Sequence, residues 1–460
     1  MKFGQEVRAA LILALPMAGA QLAQVSLHII DTLMCGRLGP LALAGVGLGG
    51  AAMAMVLLPL LGVMNAVSPL VSQAYGAGDL PRAHQSLRQA LILAFLLALP
   101  GILLLTWAPT LLGWMGQPPE AVEVAAAYLQ AARWSLLPAL LFGALRYFMD
   151  SLSRPRAGLL VTVSAIFINI FCNWLLMFGN WGFPNLGVAG AGWATTCVNA
   201  WMLILLACFM FWDTSLCQKQ VFFGFRWQLQ GGVMWELLRI GTPIALTIMA
   251  EVWLFTGLTF LMGKLGTVPL AAHQVALNIS TLTFMFALGI ANASTVRVGQ
   301  ALGKGKPLQA RQAGLTGMLL GMAVMSLSGL VFLLCPRVII GLYLDLHDPL
   351  NGPVIELITL LLRLAAVFQL FDALQVTSQG ALRGLKDTLM PMLISFICYW
   401  ILGLGAALVL GFGLQHGAPG LWGGLILGLF TASLTLAARF FWHFRRSQSA
   451  QWGWQGPVLD

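Results

Sequence analysis

Apolar runs of about 20 residues follow one another along nearly the whole 460-residue chain, interrupted only by short stretches rich in Gly, Pro and charge. A run of that length matches the hydrocarbon thickness of a bilayer when it is wound as a helix. In oil, backbone N–H and C=O groups must be satisfied within the protein, which leaves helices and closed barrels as the spanning structures. Barrel strands alternate polar and apolar residues over segments of about ten, and nothing here alternates in that way. The chain therefore reads as an all-α integral membrane protein. Its 8% charged content lies far below the roughly 25% of a soluble domain, so the net charge of +9 does not point to nucleic acid.

Reading the runs against their breaks gives twelve transmembrane helices, near 8–35, 43–72, 86–110, 121–146, 157–178, 187–211, 234–262, 270–299, 308–335, 353–381, 388–411 and 419–443. Met1–Arg8 followed by an apolar stretch resembles a signal peptide, but that stretch continues to Cys35, and it reads as an uncleaved first helix. Of the 24 Lys and Arg, only Arg37, Lys264 and Arg337 fall on the side opposite the termini, while Arg133 and Arg363 lie within helices. The positive-inside rule then predicts a multi-pass protein with both termini in the cytoplasm. The seven cysteines are scattered, form no CxxC pair and read as small apolar filler.

The chain also matches itself. At an offset of 227, Pro16 pairs with Pro243, Gly39 with Gly266, Asn65 with Asn292, Gln73 with Gln300 and Gly78 with Gly305. The offset becomes 230 farther on, pairing Arg133 with Arg363, Leu152 with Leu382, Arg156 with Lys386, Gly187 with Gly417 and Gly190 with Gly420. A register held by scattered Gly and Pro implies a duplicated unit. The expectation is two six-helix lobes related by a pseudo-twofold axis along the membrane normal, because an even number of spans returns each half to the same side. The N-lobe is expected over 1–211, a cytoplasmic linker over 212–233, the C-lobe over 234–446 and a cytoplasmic tail over 447–460. Two similar lobes are the architecture of a transporter that works by alternating access.

Three carboxylates lie inside the apolar runs: Asp31, Glu251 and Asp372. A charge at bilayer depth costs about 2.5–3.5 kcal/mol, so a bare trio would cost on the order of 10 kcal/mol. Ion or proton handling is the expected reason for keeping them. Glu251 sits mid-helix, and Asp372 has Gln369 and Gln375 one turn to either side; a packing role for such acids is the alternative, although amides would serve it more cheaply. Asp31 lies near the outer end of helix one, where it could instead reach interfacial water. Asn169 and Asn173, spaced i, i+4, share a face that could meet it, His28 is one turn away, and Gln24 occupies the repeat position of Glu251. Neither Asp31 nor Glu251 has an acidic repeat partner, so each lobe is expected to hold a different polar site. His273, Gln274 and Asn278 form a further polar group, suited to a cavity or to interhelical hydrogen bonds. Trp253 and Phe368 beside the acids offer flat surfaces to aromatic cations.

The segments ALPMAGAQLAQVSLHIIDTLMCGRLG, VSQAYGAGD, SLSRPR, NIFCNWLLMFGNWG, GTPIAL, AEVWLF, AAHQVALN, VRVGQALGKG and QGALRGLKDT occur in this order. Together they resemble the multidrug and toxic compound extrusion (MATE) family, in its NorM-type branch. The resemblance implies a secondary active transporter, not an enzyme, in the bacterial inner membrane, which exports amphipathic, mainly cationic drugs and dyes in exchange for Na+ or H+. It needs no cofactor beyond that coupling ion and works as a monomer in the lipid bilayer. Residue by residue, it implies that Asp31 is the N-lobe acid with Asn169 and Asn173 beside it, and that Glu251 and Asp372 form the C-lobe cation site, with Na+ as the candidate metal. DinF-type members carry a tyrosine and a second acid where Leu27 and Asn173 stand here. NorM-type members often carry a tyrosine where Phe368 stands, so one oxygen ligand is missing. A lipid-linked precursor flippase of the same superfamily would need cavity Arg or Lys, which the helices mostly lack. A membrane-embedded enzyme would need a nucleophile or metal-ligand cluster, and the sequence offers none.

Overall fold

The computed structural model describes residues 3–212, 228–346 and 348–449, which form helices and their connections, with no strand among them. Most of the expected linker and of the C-terminal tail lies outside the described residues. The first half comprises α1 (Phe3–Gly36), α2 (Pro40–Met64), α3 (Val67–Gly76), α4 (Leu80–Trp114), α5 (Pro119–Ala132), α6 (Leu136–Ser151), α7 (Pro155–Phe178) and α8 (Gly187–Trp212). The second comprises α9 (Gly231–Leu265), α10 (Thr267–Gly303), α11 (Pro307–Leu334), α12 (Pro336–Ile340), α13 (Gly352–Gly384), α14 (Leu389–Phe396), α15 (Leu404–Leu408) and α16 (Gly417–Ser449).

Among the described residues, 11 helical segments are long and apolar enough to cross a membrane, with α2 and α3 acting as one. The remaining expected span, 121–146, corresponds to α5 and α6, which a 3-10 turn at Arg133–Ser135 separates. One helix overruns its apolar run because its polar end is capped: α4 begins at Leu80, where the Asp79 carboxylate accepts a 3.0 Å hydrogen bond from the Arg82 N–H. The expected helix over 388–411 is not uniform: α14 and α15 are joined by a π turn at Ile397–Gly403 and followed by another at Val409–Gly413. Opposite these turns α16 presents Gly424 and Gly428, where an added Cβ would lie 2.1 Å from Ala407 N and 2.8 Å from Gly403 Cα. Backbone meets backbone there, and only glycine permits it.

The duplication is visible in the turns. Gly39 and Gly266 open α2 and α10 with φ of 114° and 119°, a conformation closed to most L side chains. The turn after α6 corresponds to that after α13 through Ser153 and Lys386, with φ of 63° and 61°. That is an offset of 233, so the pairings of Leu152 with Leu382 and Arg156 with Lys386 are displaced by three residues. The 230 register returns at Gly187 and Gly417.

The chain divides into two compact units, Pro16–Met249 and Met1–Leu15 with Ala250–Asp460. This division cuts through α1 and α9 and does not follow the expected lobe boundary. Two contacts explain it. In the first unit, Gly241 of α9 lies so close to α2 that an added Cβ would sit 2.5 Å from Val63 O. In the second, Glu6 at the start of α1 is bound by Arg297 of α10. The first unit is built on Met64, Leu87, Leu136, Leu140, Phe148 and Ile244, and the second on Leu254, Leu361, Leu362, Phe368, Trp422 and Leu425.

Candidate functional site

In the first unit, α1 presents Asp31 to the face of α7 that carries Asn169 and Asn173. Asp31 Oδ1 accepts hydrogen bonds from Asn169 Nδ2 at 2.9 Å and Asn173 Nδ2 at 2.7 Å. The i, i+4 spacing makes this possible, since it stacks the two amides on one side of a helix. Both asparagines are buried, and their carbonyl oxygens have no hydrogen-bond partner among the described residues. A carboxylate and two amide oxygens with unused lone pairs make a group that can take a proton or a hard cation.

Tyr128 on α5 is buried and within electrostatic reach of Asp31. Sequence reasoning missed it, because an aromatic among alanines carries no periodic signal. His28 acts on Asp31 electrostatically but is itself exposed. Gln24 is engaged elsewhere: Arg146 of α6 donates to Gln24 Oε1 at 3.0 Å and to Gln21 Oε1 at 2.9 Å.

In the second unit, Glu251 of α9 and Asp372 of α13 lie close enough to act on each other's charge. Asp372 is buried and Glu251 half-buried, and neither carboxyl makes a side-chain hydrogen bond among the described residues. Arg383, about three turns further along α13, acts on Glu251, and Tyr399 in the first π turn feels both acids. The sequence placed Arg383 among the cytoplasmic charges. In the fold it is buried, and its Nη2 donates to Gln379 Oε1 at 3.1 Å. Gln369 Oε1 accepts from Ser328 at 2.6 Å, while Gln369 Nε2 and both polar atoms of Gln375 are buried without partners among the described residues.

The other sequence candidates separate by exposure. Phe368 is buried, packed edge-on against Phe255 and Trp422. His273 is fully enclosed, with Nδ1 accepting from Trp422 Nε1 at 3.2 Å and Nε2 against Thr259 Oγ1 at 3.2 Å. Those contacts assign the ring proton to Nε2 and link α10 to α9 and α16. Gln274 and Asn278 are exposed on another face of α10, and Trp253 is 48% exposed.

The MatE family model matches residues 16–175 and 243–409, one segment in each half of the duplication. The chain belongs to the MatE family. Among curated relatives of this MatE protein, a "Probable multidrug resistance protein NorM" of Synechocystis sp. is 38% identical over 448 residues, 97% of this chain and 96% of the relative. A "Multidrug resistance protein NorM" of Burkholderia vietnamiensis is 39% identical over 431 residues, 93% and 92% of the two chains. Among solved structures, the eukaryotic MATE transporter AtDTX14 superposes with a TM-score of 0.84 at 23% identity, covering 97% of this chain and 99% of its own. A MATE in complex with MaL6 gives 0.86 at 19% identity, covering 98% and 100%. The MatE fold is thus shared along nearly the full length, with 11 helical segments among the described residues long and apolar enough to cross a membrane.

Proposed function

We propose that this MatE protein is a multidrug efflux antiporter of the bacterial inner membrane, exporting amphipathic, mainly cationic compounds in exchange for Na+ or H+ by alternating access. The observation that carries the reading is the placing of one acid group in each half: Asp31 with its two asparagines, and Glu251 with Asp372. The names of the curated relatives support drugs as the cargo.

Outward movement of a monovalent cation against the membrane potential costs about 2.3 kcal/mol per 100 mV, so an inward-moving ion must be exchanged for it. Glu251 and Asp372 are the coupling pair. Sharing a small volume, two carboxylates resist being charged together, and a proton or a sodium ion relieves that repulsion. The Asp31 group faces the organic cation, with the asparagine oxygens completing its polar surface. Ion and drug lower each other's affinity because each favours a different conformation. Both termini lie in the cytoplasm, each half of the duplication acts as one lobe, and the monomer is the working unit.

The test is ethidium or norfloxacin movement in proteoliposomes under a sodium gradient alone and then a pH gradient alone. Movement against the drug gradient under either one is expected. Its absence under both would refute the antiport reading.

A further inference from the structure

Helices α7 and α8 run antiparallel, and two contacts fix their register. Gly190 of α8 lies against the backbone of α7, where an added Cβ would sit 2.5 Å from Leu176 O and 2.8 Å from Met177 N. About three turns deeper, Trp201 Nε1 donates to Ser164 Oγ at 3.1 Å. Between these points Cys197 and Cys172 lie about one turn apart in level, and because the Cα–Cβ bond of each tilts toward its own helix N-terminus the two side chains lean toward each other. Both lie on the contacting stripes: Gly190, Ala194, Cys197 and Trp201 are spaced i, i+4, i+7 and i+11, and Cys172 is one turn from Leu176. The thiols meet closely enough that each acts on the other. Both are free; Cys172 is half-buried and Cys197 exposed, so the pair opens to the outside of the helix pair. Asn169 and Asn173 point elsewhere, to Asp31.

We propose that Cys172 and Cys197 form a dithiol site for thiophilic metalloids and soft metal ions, with trivalent arsenicals as the defining ligand. Soft sulfur donors select soft centres, and two sulfurs held by two packed helices favour a ligand that bonds both. With an organoarsenic oxide, two As–S bonds form, the oxo group leaves as water with the two thiol protons, and no oxidation state changes. The exposed Trp193 and Trp201 on α8 give the site an apolar border, suited to neutral aryl reagents. The site is independent of the transport reading.

Phenylarsine oxide added to the purified full-length protein, followed by intact mass spectrometry, tests the proposal. The wild type and Cys335→Ser are expected to carry one adduct at saturation, removed by 2,3-dimercaptopropanol but not by a monothiol at equal thiol concentration. Cys172→Ser and Cys197→Ser are expected to carry none. No adduct on the wild type, or an adduct retained by either single variant, would overturn it. Should a variant fail to fold, dibromobimane treatment of the wild type and peptide mapping decide the matter: a bridge between residues 172 and 197 supports the site, and its absence or a bridge elsewhere overturns it.

Discussion

Glu6 and Arg297, 291 residues apart, form a forked ion pair, with Arg297 Nη2 at 2.6 Å from Oε2 and Nε at 2.9 Å from Oε1. Glu6 is buried, and the Arg297 guanidinium lies against both of its carboxylate oxygens. The pair fastens the first turns of α1 to α10 and accounts for their membership of one compact unit. Removing one partner of a buried pair typically costs about 3–5 kcal/mol because the other charge is left uncompensated. Glu6→Gln is therefore expected to lower the thermal midpoint of the detergent-solubilised protein. Glu6→Gln combined with Arg297→Gln should cost less than the sum of the single changes. Additive losses in that cycle would show that the pair contributes no coupling.

The hydrogen bond from Asn173 to Asp31 is the shorter of the two that organise the first acid group. Bonds to a charged acceptor are worth about 1.5–3 kcal/mol, which corresponds to roughly a tenfold or greater effect on any state that depends on them. Asn173→Ala is expected to weaken ethidium export by about that factor. Asn173→Asp should change the dependence on pH more than the maximal rate, since it adds a titrating group beside Asp31. Resistance unchanged in both variants would mean that Asp31 serves only the interface.

Glu251 and Asp372 should fail together. Neutralising either removes the repulsion that makes the pair take up an ion, so Glu251→Gln and Asp372→Asn are each expected to abolish gradient-driven transport. The double variant should be no worse than the more severe single one. Drug binding measured by fluorescence quenching should persist, because the Asp31 group is intact. Transport untouched under both sodium and proton gradients would remove the second acid group from the mechanism.

Much of this was legible in the sequence because the bilayer simplifies the problem. A span needs about 20 apolar residues, and an acid inside one stands out against them. The spacing of Asn169 and Asn173 carried their shared face directly. Relations between distant backbones were not legible. The packing of α9 on α2 depends on Gly62 lying against Ala245 and Gly241 against Val63, and neither glycine differs in sequence from the others. Cys172 and Cys197 looked like scattered filler until the α7–α8 register brought them together. For His273, Gln274 and Asn278, proximity in sequence suggested one polar face, but an i, i+5 step turns about 140° around the helix, and the histidine is enclosed while the amides are exposed.

At the end of α13, Asp387 is gripped from α16. Its Oδ2 accepts from Arg439 Nε at 2.6 Å and lies 2.8 Å from His443 Nε2, and its Oδ1 accepts from Arg439 Nη2 at 3.1 Å. Burial opposes the charge of this carboxyl, but the hydrogen bonds and charges of His443 and Arg439 outweigh it and hold its pKa below the ordinary 3.8. A depressed carboxylate pKa contributes stability that is present above the unfolded value and is lost as pH falls through the folded one. The wild type should therefore keep this contribution at neutral pH and lose it only below 3.8. Asp387→Asn should lower stability at pH 7 by about 1.5–3 kcal/mol, the worth of hydrogen bonds to a charged group. Its loss of stability on acidification should also be shallower than that of the wild type. Thermal melts of both proteins from pH 7 to pH 3 measure the two curves, and parallel curves would show that the Asp387 carboxylate has the same proton affinity folded and unfolded.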